Sequence, residues 1–131
     1  MNLLLPFYIQ KAGAGFPSPA TDYIEEDMDL NIHLIKNAPA TFAIRVQGKS
    51  MSSAGIYDGD LLVVDKSLNP KNFSTVIASV NDELVVKNFI KEKNLQFLSS
   101  SSKNSEDKIA LNTNSNIFIW GVVTYVIHST Y

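Results

Sequence analysis

Two apolar runs in the middle of the chain, TVIASV and ELVVKNFI, are separated only by Asn81 and Asp82. Runs rich in β-branched residues are typical of strands, and a two-residue polar linker between them is typical of a tight hairpin turn. The pattern therefore predicts a β-hairpin over residues 75–90, and the remaining segments must fold around this sheet.

Other segments from residue 41 onward also have the patterns of strands. TFAIRVQ alternates, which places Phe42, Ile44 and Val46 on one face. DLLVVD is apolar on both faces and predicts a central strand. LQFLS follows a polar turn at residues 91–94. IFIWGVVTYVIH predicts a long closing strand, in which Gly121 indicates a bulge or bend.

The serine run 99–102 and the polar stretch that continues to Asn116 predict a surface loop. Since helical patterns are scarce and strands dominate, we predict a mainly β fold, a barrel-like or sandwiched sheet with little helix. The length of 131 residues and the hydrophobic content of 45% fit one compact domain.

The first 28 residues differ from the rest. Several prolines and glycines suppress regular structure there, and five acidic residues then fall within positions 22–29. We predict an extended, solvated arm over residues 1–28 and a β-rich domain over residues 29–131. Asp29 is placed to cap one short helix, DLNIHLIKN, with Leu30 and Leu34 on one face and Pro39 beyond its end.

Composition excludes several classes of protein. A net charge of −2 gives no basic field for gripping nucleic acid, so we expect no direct specific DNA binding. The chain has no cysteine, and His33 and His128 do not have metal-ligand spacing, so neither a metal nor a cofactor is predicted. The apolar run at residues 3–9 is short, contains Pro6 and follows no basic residue, which favours a cytoplasmic protein over a secreted or membrane-bound one.

Lys87 lies between apolar neighbours in the second arm of the hairpin. Alternation places it on one face with Val85 and Phe89. From the pattern alone, a lysine extending along an edge to water is the favoured interpretation. The alternative is a dry site, where desolvation disfavours the ammonium and a neutral amine can take a proton from a serine hydroxyl.

Ser50 lies in a segment between Gly48 and Gly55 that leaves a predicted strand. Loops held on rigid strands commonly present nucleophiles, and the backbone N–H groups of Lys49 and Ser50 could form an oxyanion hole. The simpler alternative is a turn serine that bonds its own backbone, and one serine with one lysine 37 positions away does not by itself decide between them.

Three ordered motifs resemble the UmuD branch of the LexA/UmuD family of self-cleaving Ser/Lys peptidases. GKSMSSAGIYDGDLLVVD is similar to the nucleophile segment of the family, and DELVVKNF is similar to its lysine segment. AGFPSPATDYIEEDMDLN, the third motif, is similar to the cleavage segment of UmuD-type members. In addition to these motifs, the ending WGVVTYVIH resembles the last core strand of the family. The resemblance covers about residues 10–128 and implies a twisted β-sheet like the LexA C-terminal domain, with an extended N-terminal arm and one short helix.

By this resemblance Ser50 is the nucleophile, Lys87 is its general base and the bond between Ala14 and Gly15 is cut. KAGAGF contains two Ala-Gly bonds, and the register against Phe16-Pro17-Ser18-Pro19 selects the second. Family members often carry an acidic residue where this chain has Lys49, so the resemblance implies the mechanism but not the rate of cleavage.

The resemblance also implies a biological setting. A RecA–single-stranded DNA filament stimulates self-cleavage after DNA damage, and the trimmed homodimer joins UmuC, a Y-family polymerase, in error-prone translesion synthesis. Because only 14 residues precede Gly15, a helix-turn-helix domain does not fit there, and we do not expect a LexA-like repressor.

Two other interpretations remain. The chain could be a non-catalytic β-module that acts only as a dimeric polymerase accessory, although Ser50, Lys87 and an Ala-Gly bond in register argue against it. A signal-peptidase-like enzyme uses similar Ser/Lys chemistry on other proteins. Such an enzyme normally needs a membrane anchor, and we do not expect one here because no stretch of this sequence approaches the length that spans a bilayer.

Overall fold

A computed structural model of the chain describes residues 3–8, 24–49, 51–100, 108–111 and 116–131. Its elements are the strands β1 (Leu4–Tyr8), β2 (Ile24–Asp29), β3 (Thr41–Arg45), β4 (Leu61–Asp65), β5 (Thr75–Val80), β6 (Glu83–Glu92), β7 (Leu95–Ser99), β8 (Ile109–Ala110) and β9 (Ile117–Ile127), the helix α1 (Leu30–Leu34), and 3-10 turns at Ala38–Ala40 and Ser52–Ala54. The predicted mainly β fold with one short helix is confirmed.

The chain divides into two compact units, residues 1–36 and residues 37–131. In the first unit β1 and β2 form an antiparallel two-stranded sheet in which Leu4 pairs with Asp29 and Pro6 with Asp27. The sequence predicted an extended arm over these residues and did not predict that β1 and β2 pair. Proline is compatible with it because each strand of a two-stranded sheet has one open edge, where a missing N–H costs no ladder bond.

α1 follows β2 directly. The side chain of Asp29 accepts a hydrogen bond from the backbone N–H of Asn31 at 2.9 Å, which confirms the predicted N-cap. The helix is shorter than the predicted segment because Ile35 already has an extended backbone. The first unit thus includes α1, which the sequence grouped with the β-rich domain.

The second unit is built on a seven-stranded antiparallel sheet with the strand order β3-β4-β9-β5-β6-β7-β8. The predicted hairpin is confirmed as β5 and β6. Asn81 and Asp82 have φ values of 51° and 68°, the positive values that a tight I′-type turn requires at both central positions. β4 lies between β3 and β9, as predicted for a central strand.

Two apolar clusters pack against this sheet, and β5 contributes to both. Ile77 belongs to a cluster with Val46, Met51, Ile56, Leu62 and Val64. The adjacent residues Val76 and Ala78 belong to a second cluster with Phe89, Leu98, Ile117 and Val122. Because successive residues of a strand point to opposite faces, β5 is buried on both faces and forms the centre of this unit.

β9 contains the predicted irregularity. Ile77 pairs with Gly121 but Ala78 pairs with Ile119, so Trp120 is an extra residue opposite β5. A Cβ atom on Gly121 would lie 2.5 Å from Cγ1 of Val64 in the neighbouring strand. Glycine at this position therefore permits the close approach of β9 and β4.

The surface loop predicted from Ser99 to Asn116 is partly wrong. Ser99 ends β7 and is fully buried, and Ile109–Ala110 forms β8 against β7. Pairing with β6 fixes the position of Ser99 regardless of the local polarity, and a serine is small enough to be buried there. Residues 101–107 and 112–115 lie outside the described parts of the chain.

Candidate active site

Lys87 lies in β6 opposite Val76 of β5. Its neighbours Val85 and Phe89 pack with the second apolar cluster, whereas Val86 packs with the first, so the predicted alternation is confirmed. Lys87 itself is half-buried. Its stem is thus partly withdrawn from water, between the two alternatives that the sequence left open.

The amine of Lys87 has a defined partner. Its Nζ donates a hydrogen bond to Oγ of Ser100 at 2.7 Å. The sequence did not identify Ser100 as a site residue, because a serine in a run of four gives no signal of its own. The contact depends on the pairing of β6 with β7, which brings together residues 13 positions apart.

The segment before Ser50 is tied to the turn 58–60. The N–H of Val46 donates to the carbonyl of Asp60 at 2.8 Å, and the N–H of Gly59 donates to the carbonyl of Val46 at 2.9 Å. The N–H of Gly48 donates to Oδ1 of Asp58 at 2.8 Å. These bonds fix the backbone two residues before Ser50. Ser50 itself lies outside the described residues.

The segment after Ser50 is fixed by burial. Met51 is only 2% exposed and packs in the first apolar cluster with Ile56. The carbonyl of Met51 accepts from the N–H groups of Ala54 and Ile56 at 3.0 and 3.2 Å, so the 3-10 turn at Ser52–Ala54 closes on this residue. The position that follows Ser50 is therefore part of the core.

Asp60 completes the support of this segment. Its Oδ2 accepts from the N–H of Tyr57 at 2.9 Å, and its Oδ1 lies 2.6 Å from Nδ1 of His128. The bond from Tyr57, with a further contribution from His128, holds the pKa of Asp60 below its ordinary value of 3.8, although burial acts in the opposite direction. The sequence showed the Asp-Gly-Asp motif, but not that its two carboxylates have different partners.

One groove of about 500 Å³ is lined both by residues of the β5–β6 hairpin and by residues close to Ser50 in the sequence. Lys87 lines it together with Gly48 and Met51, the residues on either side of the Lys49-Ser50 pair in the sequence. Its other lining residues come from two stretches of the chain, namely Ile44, Arg45, Val46 and Gln47 from the first and Ile77, Glu83, Leu84, Val85 and Val86 from the hairpin. The structure thus brings the lysine segment and the residues flanking Ser50 to one groove.

The remaining predicted site residues are placed as follows. Lys49 is exposed. Ala14 and Gly15, the predicted cleavage site, lie outside the described residues, so the bond between them stays a prediction, as does the oxyanion hole that involves Ser50.

A second groove, of about 440 Å³, belongs to the first unit and is lined by Leu4, Phe7, Asp27, Met28, Asp29, Ile32, His33 and Lys36. The groove of Lys87 is the one lined by Gly48 and Met51, which flank Lys49 and Ser50 in the sequence, so we place the candidate chemistry there.

Within the described ranges, no cluster of His, Asp and Glu side chains is arranged to hold a metal ion. The described helices are also too short to cross a bilayer.

Comparison with known proteins identifies the family. A family model described as Peptidase S24-like matches residues 6–124. Protein ImpA of Salmonella typhimurium is 42% identical over 125 residues, which cover 95% of this chain and 84% of ImpA. Protein MucA of Escherichia coli is 37% identical over 121 residues, 92% of this chain and 82% of MucA. The LexA repressor of Shewanella denitrificans is 38% identical over 103 residues, 79% of this chain and 49% of the repressor. The chain therefore belongs to the Peptidase S24-like family, in the UmuD branch of the LexA/UmuD peptidases.

Proposed function

We propose that this protein is a self-cleaving serine peptidase that cuts its own chain between Ala14 and Gly15, with Ser50 as nucleophile and Lys87 as general base. The observation that carries the proposal is the groove in which Lys87 lies with Gly48 and Met51, the residues around the Ser50 position. Membership of a peptidase family supports the same chemistry.

The reaction follows from the two groups. The neutral amine of Lys87 takes the proton of the Ser50 hydroxyl, and Oγ attacks the carbonyl carbon of Ala14. Backbone N–H groups at Lys49 and Ser50 stabilise the resulting oxyanion. The C–N bond then breaks, and the amine of Gly15 leaves with the proton that Lys87 had taken. Water hydrolyses the Ser50 ester, which releases residues 1–14 and restores the serine.

The hairpin offers a binding mode for the substrate segment. β7 pairs with residues 88–92 of β6, whereas residues 83–87 pair with β5 and line the groove. Residues 83–87 thus have no β7 partner on their other side. An extended peptide can add as a strand along an edge of this kind through main-chain hydrogen bonds. The sequence around the proposed cleavage site suits this mode, because Gly15 permits close approach of the backbone and the following prolines favour an extended chain.

The biological role that we propose follows from the family. Self-cleavage is stimulated by a RecA–single-stranded DNA filament in the SOS response to DNA damage. The trimmed protein, as a homodimer in the cytoplasm, is the accessory subunit of a UmuC-like Y-family polymerase in error-prone translesion synthesis. The net charge of −2 supports a role through protein partners, not through direct binding of DNA.

Intact mass spectrometry of the incubated protein tests the proposal. Wild type loses the mass of residues 1–14, and a RecA–single-stranded DNA filament speeds the loss. Lys87→Ala retains full length, because the base is missing. Lys91→Ala is the matched control, since Lys91 is an exposed lysine four residues along the same strand. If wild type stays intact even with the filament, the non-catalytic polymerase accessory is the better interpretation.

A further inference from the structure

The hydrogen bond between Lys87 and Ser100 is a consequence of strand register. The last pair of the β6–β7 ladder is Asn88 with Ser99. The next residues outward are Lys87 on β6 and Ser100 after β7, and Nζ lies 2.7 Å from Oγ. The contact is therefore determined by the pairing of two strands and not by a chance meeting of two surface side chains.

Ser100 is held in place by its neighbours in the chain. Leu98 and Ser99, the two residues before it, are fully buried, and Leu98 is part of the second apolar cluster. Ser100 itself is half-buried, as is Lys87. Its hydroxyl thus lies just past the end of an anchored strand, beside the amine of Lys87.

A fixed hydroxyl at this distance affects where the lysine amine can go. A lysine side chain has a flexible stem of four carbons, and holding it in one position costs up to about 2 kcal/mol of conformational entropy. Ser100 accepts one N–H of the amine and so stabilises one placement of Nζ. In the neutral amine, the lone pair then remains available for a second hydroxyl.

We propose that Ser100 is a positioning residue, which holds the amine of Lys87 in the orientation that takes the proton from Ser50. This inference rests on the proposed self-cleavage. It assigns to Ser100 no bond to the substrate, since the acyl intermediate forms on Ser50.

The test compares two variants of nearly equal shape. Ser100→Val lacks the hydroxyl and Ser100→Thr retains it. We expect Ser100→Val to cleave about tenfold more slowly, the effect of losing one hydrogen bond of about 1.4 kcal/mol. Ser100→Thr should cleave within about threefold of wild type, since the hydrogen bond is kept. Ser100→Ala, measured alongside, separates loss of the hydroxyl from crowding by the added methyl group.

The readout is the loss of full-length protein by intact mass, with the thermal unfolding midpoint of each variant as the folding control. A structural effect of position 100 would slow the valine and threonine variants alike, and that result overturns the inference. It is also overturned if Ser100→Val and Ser100→Ala cleave as fast as wild type, or faster, while Lys87→Ala is inactive. In that case the proposed self-cleavage stands.

The same variants also test which serine is the nucleophile. If Ser100→Ala is fully inactive while Ser50→Ala still cleaves, Ser100 is the nucleophile, and both the inference and the assignment of Ser50 are wrong. If Ser50→Ala is inactive and Ser100→Ala retains slow cleavage, the positioning role is supported.

Discussion

The backbone N–H of Gly48 donates a hydrogen bond to Oδ1 of Asp58, ten positions along the chain, at 2.8 Å. The adjacent carbonyl of Gly59 accepts from Nη1 of Arg45, also at 2.8 Å. Together these bonds join the strand that precedes Ser50 to the turn that follows it. The Asp-Gly-Asp motif thus supports the backbone that leads to Ser50, the proposed nucleophile.

We expect Asp58→Ala to reduce the cleavage rate strongly and to lower the free energy of unfolding only slightly. The bond to Gly48 is exposed, so Asp58→Ala should lower the free energy of unfolding by only about 0.5–1.5 kcal/mol. The cleavage rate should fall about tenfold or more, because a displacement of about 1 Å at a reacting group is costly. Urea unfolding and a cleavage time course on the same samples measure the two effects. Asp58→Asn, which retains Oδ1, is the control and should stay near wild type.

The Asp60 carboxylate is expected to contribute to the free energy of unfolding at neutral pH and to lose this contribution in acid. Because the pKa of this carboxyl in the folded protein lies below its ordinary value of 3.8, the charged form favours the folded state. This contribution is fully present above about pH 5 and is lost as the pH falls through 3.8 and below. The unfolding free energies of wild type and Asp60→Asn should therefore converge as the pH is lowered from 6 toward about 3. A difference that is the same at all pH values would contradict this account.

Gly121→Ala is expected to destabilise the second unit. The added Cβ would lie 2.5 Å from Cγ1 of Val64, in a buried part of the sheet, so the Val64 side chain or one of the two strands must move. Overpacking of this kind costs about 1–3 kcal/mol. Urea unfolding measures it, and Gly59→Ala is an informative comparison, because no heavy atom lies within 4 Å of the Cβ position there and the cost arises only from its φ of 89°. Unchanged stability of Gly121→Ala would contradict this account of the packing between β9 and β4.

Local signals in the sequence were sufficient for the hairpin and the helix cap. Asn81 and Asp82 favour a turn by their own backbone preferences, and Asp29 caps α1 through a bond to a residue two positions away. Such features involve neighbours in the chain, so they can be predicted without knowledge of the tertiary fold.

Features that depend on distant pairing were missed. β1 pairs with β2 across about 20 residues of sequence, and Pro6 within β1 argued against a strand. β8 consists of only Ile109–Ala110, which is too short for a periodic pattern. The contact between Lys87 and Ser100 follows from the register of β6 and β7, and no property of either residue alone indicates it.

The most direct test of the account is a time course of intact mass for wild type and Ser50→Ala, each with and without a RecA–single-stranded DNA filament. Ser52→Ala, a nearby serine in the 3-10 turn, is the control for general disturbance of the segment. We predict that wild type and Ser52→Ala release residues 1–14, whereas Ser50→Ala remains full length under both conditions. Release of the same fragment from Ser50→Ala at the wild-type rate would contradict the account.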